Sequence, residues 1–246
     1  MRFLLIFTFS CLLSTTAFAF TLITQHPHRF TNNEVLINVA NNNCVNVGIS
    51  KEDLLNISWE AAESFWNRVT TARISFKKGS LTTPSAADLD SAQKVSNYLV
   101  AVPTTTIHIA CTSNYYDTFA DSTLAVGGIA TNNAHYIFVN DQPNSAFANL
   151  SRQDMVSTLA HEMGHALGLG HSPIPEALMY YSSKSGRERL EWDDWDGLSY
   201  LYPVEKVSDS CGTIKDVSNN DKNGLFSVLI GFMMSSLLAL SIKRRR

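Results

Sequence analysis

The chain has 246 residues, 45% of them hydrophobic and 17% charged, and 19 Lys and Arg stand against 22 Asp and Glu for a formal net charge of -3. A charge this small and mixed excludes the basic footprint of a nucleic-acid binder, and no internal repeat points to a solenoid. In chain order, Met1 to Ala19 joins a basic Arg2 to an apolar run from Phe3 to Leu13 and small residues at Ala17 and Ala19. That is the pattern of a secretory signal cleaved before Phe20, too short to span a bilayer. Val35 to Val39 reads as a first strand. Ser50 with Asp53 three residues on reads as a cap for a helix whose apolar positions run through Leu54, Leu55, Trp59 and Phe65 to Val69. Ala72 to Phe76, Thr105 to Cys111 and Ala134 to Val139 alternate or run apolar as strands do. Ser151, with Asp154 three residues on, opens a second helix. Trp59, Trp66, Trp192 and Trp195 read as core.

That second helix carries the most informative stretch, His161 to His171, reading HEMGHALGLGH. Histidines four apart on a helix share a face, so His161 and His165 can meet one ion. Gly168 tolerates the left-handed conformation that closes a helix and lets the chain turn back to bring His171 in as third ligand. Three neutral imidazoles leave a fourth zinc position for water, whose pKa the metal lowers. Glu162, offset beside that face, can accept the water proton as general base. The bland alternative, an amphipathic core helix with hydrogen-bonded histidines, fits the extended spacing H-E-x-x-H-x-x-G-x-x-H poorly.

Further segments follow in order. Ser172 succeeds the third histidine, Pro175-Glu176-Ala177-Leu178-Met179-Tyr180 comes next, and Leu190 to Tyr202 reads LEWDDWDGLSYLY. Together with the histidines these segments resemble the metzincin metallopeptidases and, within them, the matrixins, the family of matrix metalloproteinases. The similarity is clear over roughly 151–202 and architectural before that. The resemblance implies an α+β fold of the metzincin zinc-peptidase type: a mixed, mostly parallel twisted sheet with an active-site helix, a Met-turn and a C-terminal helix. It makes Met179 the Met-turn methionine. It gives Leu124 to Ala130 the place of the edge strand that lines the cleft and pairs with extended substrate, the alternative being a glycine-broken loop. It makes Asp193 and Asp194 structural rather than an acid-base pair, consistent with neighbouring helical residues pointing about 100 degrees apart.

The chain also departs from the family. Matrixins generally place a proline two residues after the Met-turn methionine, whereas this chain has Tyr181, as the astacin and serralysin branches do. Tyr181 is either an extra donor to the transition-state oxyanion or a half-buried loop tyrosine. No cysteine-switch motif P-R-C-G-x-P-D precedes the domain. His108 and His135 lie where vertebrate matrixins hold structural ions, but without the accompanying spacing they read as strand histidines. One catalytic Zn2+ is expected, and a structural Zn2+ or Ca2+ is left open. Cys44 and Cys111 form either a disulfide or two isolated buried thiols, with Cys211 free.

The expected organisation is a signal peptide at 1–19, a matrixin-like catalytic domain at 20–203, a polar linker at 204–223, an apolar helix at 224–242 and a basic tail at 243–246. At about 1.5 Å per residue the apolar helix would cross one bilayer core, and the four terminal basic residues place the tail inside and the catalytic domain outside. The same tail resembles prokaryotic C-terminal sorting signals, which makes a processing enzyme a candidate partner alongside the membrane and protein or peptide substrates. The function implied is a zinc-dependent endopeptidase acting on extracytoplasmic proteins through a zinc-activated water with Glu162 as base. The alternative is an inactive zinc-containing surface binding module.

Overall fold

The computed structural model describes residues 20–83, 89, 91–113, 122–182 and 184–204. The expected signal, the apolar helix at 224–242, the basic tail, Cys211 and all of the linker except Val204 lie outside the described residues. Among the described residues no helix is long and apolar enough to cross a membrane.

Strand β1 (Glu34–Ala40) has parallel partners on both sides, β2 (Ser75–Thr82) and β3 (Thr106–Thr112). Beyond β3 come β5 (His135–Asn140), parallel, and β4 (Ala125–Ile129), antiparallel, giving the sheet order β2-β1-β3-β5-β4. Every residue of β3 is buried, as a central parallel strand covered on both faces requires. Helices α1 (Lys51–Ser64) and α3 (Arg152–Leu167) bury their apolar stripes with Val35, Ile37, Ile107, Ile109 and Ile137 in one core cluster. A second, smaller cluster joins Ala110 and Phe138 to Tyr98 and Leu99 of α2 (Ala92–Ala101). The chain closes with α4 (Trp192–Leu201).

The expected caps form: the Ser50 side chain accepts the Asp53 N–H, and Ser151 accepts that of Asp154. Four expectations change. Helix α1 stops at Ser64 and passes into a 3-10 turn at Trp66–Arg68, because the Trp66 indole is fully buried and donates to the Ala160 carbonyl at 2.8 Å. The second strand begins at Ser75 rather than Ala72. Residues 72 and 73 are taken instead by the end of the domain, Ala72 bridging Pro203 and Arg73 N–H donating to the Tyr202 carbonyl. Helix α2 was not anticipated, although Ser91 caps it and Val95, Tyr98, Leu99 and Val102 follow helical spacing. Trp192 is 79% exposed rather than core, since Asp193 and Asp194 on the same first turn point inward.

A disulfide joins Cys44 to Cys111 with the Cα atoms 5.3 Å apart, tying the loop after β1 to β3. Beside it, both Asp141 carboxylate oxygens accept backbone N–H groups, from Val45, Asn46 and Val47. His108 and His135 are fully buried strand residues. His108 bonds to Tyr98 and Thr82. His135 donates through Nδ1 to the Ala166 carbonyl at 2.6 Å and stacks on Phe30. Neither joins the one group of three convergent metal-ligating side chains found among the described residues.

Two stability tests follow. Replacing both Cys44 and Cys111 by serine opens a closed loop of 67 residues, and urea denaturation should show a loss of about 2–4 kcal/mol; an unchanged midpoint would mean the bridge constrains nothing. Burial holds the His108 and His135 imidazoles at about 4 against an ordinary 6.5. Between those values the unfolded chain binds the extra protons, so stability is full above about pH 6.5 and falls as pH drops toward about 4. In chelator, the urea midpoint should decline from about pH 7 to about pH 5, less steeply in His108→Gln. A pH-independent midpoint contradicts buried neutral rings.

Candidate metal centre

Helix α3 ends where Gly168 takes φ 108°, a left-handed value that a residue with a Cβ adopts only under strain. The Gly168 and Leu169 amides close the helix onto the His165 and Gly164 carbonyls, and the chain reverses toward His171. A segment near the start of the described chain clamps this reversal. Leu22 bridges Leu169, Ile23 N–H donates to the Gly168 carbonyl, Gly170 N–H donates to the Thr21 carbonyl, and Thr21 Oγ1 donates to the His171 carbonyl at 2.6 Å. Nothing in the local sequence at Thr21 signals that role.

The turn brings His161, His165 and His171 together, with their ligand atoms all within 4.8 Å of one another. His161 Nδ1 lies 2.7 Å from the Leu178 carbonyl and His165 Nδ1 lies 2.9 Å from that of Leu169. A carbonyl can only accept, so Nδ1 carries the proton in both rings and Nε2 keeps a free lone pair. Burial pushes His161 down to about 3 and His165 to about 4, and it lowers His171 as well. Three neutral imidazoles, two of them oriented by backbone carbonyls, are a donor set that fits a zinc ion.

Met179 is buried, its sulfur packed against Gly164, which lies between His161 and His165 on α3. Its loop is held from below by one side chain: Asp194 Oδ2 accepts the Leu178 amide at 2.8 Å, and Oδ1 accepts that of Met179 at 3.0 Å. Asp194 Oδ2 also accepts the Glu191 amide at the start of α4. The aspartate is thereby committed to backbone, as the structural reading expected. Gly164 faces the same loop, and a methyl group added there would overlap Met179 Sδ and press on Trp66.

Glu162 sits beside the histidines in a cleft of about 200 Å3, whose lining includes Thr123, Leu124, Ala125, Thr158 and Arg187. Burial raises its carboxyl to about 8, against the pull of a hydrogen bond from the Gly127 amide. Strand β4 is at the sheet edge, and Gly127 lets it lie directly on the Glu162 backbone, where a side chain would not fit. Leu124 to Ala130 therefore contains a true edge strand at the cleft. Tyr181 also lines the cleft but is 68% exposed, its ring 4.4 Å from that of Tyr180, so it is not a half-buried loop residue. Arg187, in the loop between Tyr181 and α4, lines the same cleft.

Replacing Gly164 by alanine should cost about 1–3 kcal/mol through overpacking against Met179, read as a lower Tm together with weaker zinc retention in competition with a chelator. Wild-type values for both would show that the methionine loop yields freely.

A family model described as Matrixin matches residues 73–203. Over 51 residues the chain is 43% identical to Metalloendoproteinase 2-MMP of Arabidopsis thaliana, covering 20% of this chain and 14% of that protein. Over 54 residues it is 46% identical to Matrix metalloproteinase-25 of Homo sapiens, covering 20% and 10% respectively. Over 45 residues it is 58% identical to Matrix metalloproteinase-9 of Canis lupus familiaris, covering 18% and 6%. These alignments span well under a fifth of each relative's own length. The match over 73–203, on a fold of this topology with its three clustered histidines, identifies the chain as a member of the matrixin family.

Proposed function

We propose that the chain is a zinc-dependent endopeptidase that hydrolyses peptide bonds of extracytoplasmic proteins. The observation that carries the reading is the convergence of three neutral imidazoles beside a desolvated carboxyl group and an edge strand of the sheet. His161 and His165 would hold the ion through the nitrogens not engaged by backbone carbonyls, joined by His171. Zinc bound there would supply Lewis acidity toward a carbonyl and a water of lowered pKa.

The remaining steps belong to the chain's own groups. Among the described residues β4 is an edge strand of the sheet, to which an extended peptide can add as a further strand, which lays the scissile bond across the cleft. The Glu162 carboxylate takes the proton of the attacking water and returns it to the leaving amine. Its raised affinity for protons suits both halves of that transfer. The Tyr181 hydroxyl, at the open side of the cleft, donates to the developing oxyanion. Met179 supports the histidines from below without touching the reacting atoms. The signal at 1–19 would direct this domain across a membrane, and the apolar stretch 224–242 with its basic end would tether it or serve as a sorting tail.

Purified zinc-loaded protein should cleave a quenched peptide library or a denatured protein and should stop when a chelator is added. Glu162→Gln should lose about 10²–10⁴-fold in kcat while keeping one zinc per chain. Tyr181→Phe should lose about tenfold or more, and full activity in that variant would remove the phenol from the mechanism. Stoichiometric zinc with no hydrolysis of any peptide would favour a binding module instead.

A further inference from the structure

The cleft beside Glu162 is lined in part by an arginine whose hydrogen bonding is incomplete. Arg187 Nη2 donates to the Pro175 carbonyl at 3.0 Å, while Nε and Nη1 are buried with no hydrogen-bond partner. A guanidinium carries five N–H donors and no acceptor, and buried donors left idle are costly. Two acidic groups lie near enough to act on its charge, Asp194 and Glu176. Both Asp194 oxygens are already occupied by the amides of Leu178, Met179 and Glu191. The positive charge is thus partly offset by its surroundings, yet the donors are not used.

The rest of the cleft supports an acidic occupant. Lys184 is a second cation on its lining, and Glu162 is its one carboxylate among the described residues. Leu124, Ala125 and Leu178 add apolar lining to the same cleft, suited to the methylenes of a side chain that ends in a charge. A planar guanidinium fork takes a carboxylate through paired hydrogen bonds, a match that neither an aliphatic side chain nor an amine can make.

We propose that Arg187 is a specificity-determining residue that selects an aspartate or glutamate side chain of the substrate beside the scissile bond. This rests on the endopeptidase reading above and adds to it a substrate class: proteins cut next to acidic residues. The arginine does not touch the reacting atoms, so its effect falls on which peptides are cleaved.

The test is cleavage profiling of the full zinc-loaded chain on a peptide library varied at each position flanking the scissile bond. Wild type should favour Asp or Glu over Leu at one position by about tenfold or more in kcat/KM, since the pair is charge-assisted. Arg187→Met should reduce that preference to within about twofold while still cleaving the apolar peptides, which shows an intact site. Arg187→Lys should restore part of it, and Arg187→Glu should move the preference toward Lys and Arg. Should Arg187→Glu fail to fold, the Met and Lys variants decide the matter. An active wild type that prefers apolar residues, with the same profile in Arg187→Met, overturns the inference and leaves the endopeptidase reading standing. Absence of hydrolysis for every peptide overturns both.

Discussion

The metal centre depends on a change of direction in the backbone at Gly168. Two histidines on successive turns of α3 come from helical geometry alone, but the third must approach them from outside the helix, and a helix that continued would carry it away. A glycine with positive φ stops α3, and the reversed chain is then held by three hydrogen bonds with residues 21–23. The position of His171 therefore depends on a segment nearly 150 residues earlier in the chain. Coordination chemistry sets the demand, and backbone hydrogen bonding meets it.

The same logic of committed polar groups runs through the layers around the site. Each buried donor or acceptor is costly unless paired, so pairing decides what is rigid and what remains free to act. Asp194 spends both oxygens on three backbone amides and so joins the Met179 loop to the start of α4. Asp141 does the same for the loop that follows Cys44, next to the disulfide. His108 bonds to Thr82 of β2 and Tyr98 of α2, and His135 to the Ala166 carbonyl of α3, which fixes strand against helix. Against this background the groups with unspent capacity stand out: the Nε2 atoms of His161 and His165, the Glu162 carboxyl in its desolvated pocket and the idle donors of Arg187. His161, Glu162, Ala125 of β4 and Arg187 line a single cleft.

Desolvation tunes that cleft from two directions. It disfavours charge on the histidines, leaving lone pairs for an ion, and it disfavours charge on Glu162, which keeps a proton acceptor close to the point of exchange. Gly127 and Gly164 serve packing in this design: one lets the edge strand rest on the helix backbone, the other lets the methionine loop rest beneath the histidines. In both places a methyl group would separate elements whose distance the site requires.

Much of this was legible in the residues. The spacing from His161 to His171, the serine caps at 50 and 151, and the apolar runs of β1, β3 and β5 are local patterns, set by side-chain periodicity and by one glycine at a helix end. Helix α2 was legible too, since its cap and apolar spacing are in the sequence. Other features were not. The start of β2 was decided by the competition of residues 202 and 203 for the backbone of 72 and 73, a pairing across about half the chain. The exposure of Trp192 followed from the inward demand of Asp193 and Asp194. The clamp from Thr21 and the aim of Arg187 depend on partners that no periodicity encodes. By itself the sequence determined the elements and the chemical identity of the site, because those follow from neighbours a few residues apart. The tertiary structure alone decided register, orientation and which polar groups are left unpaired, because those are settled only when distant segments compete for the same hydrogen bonds.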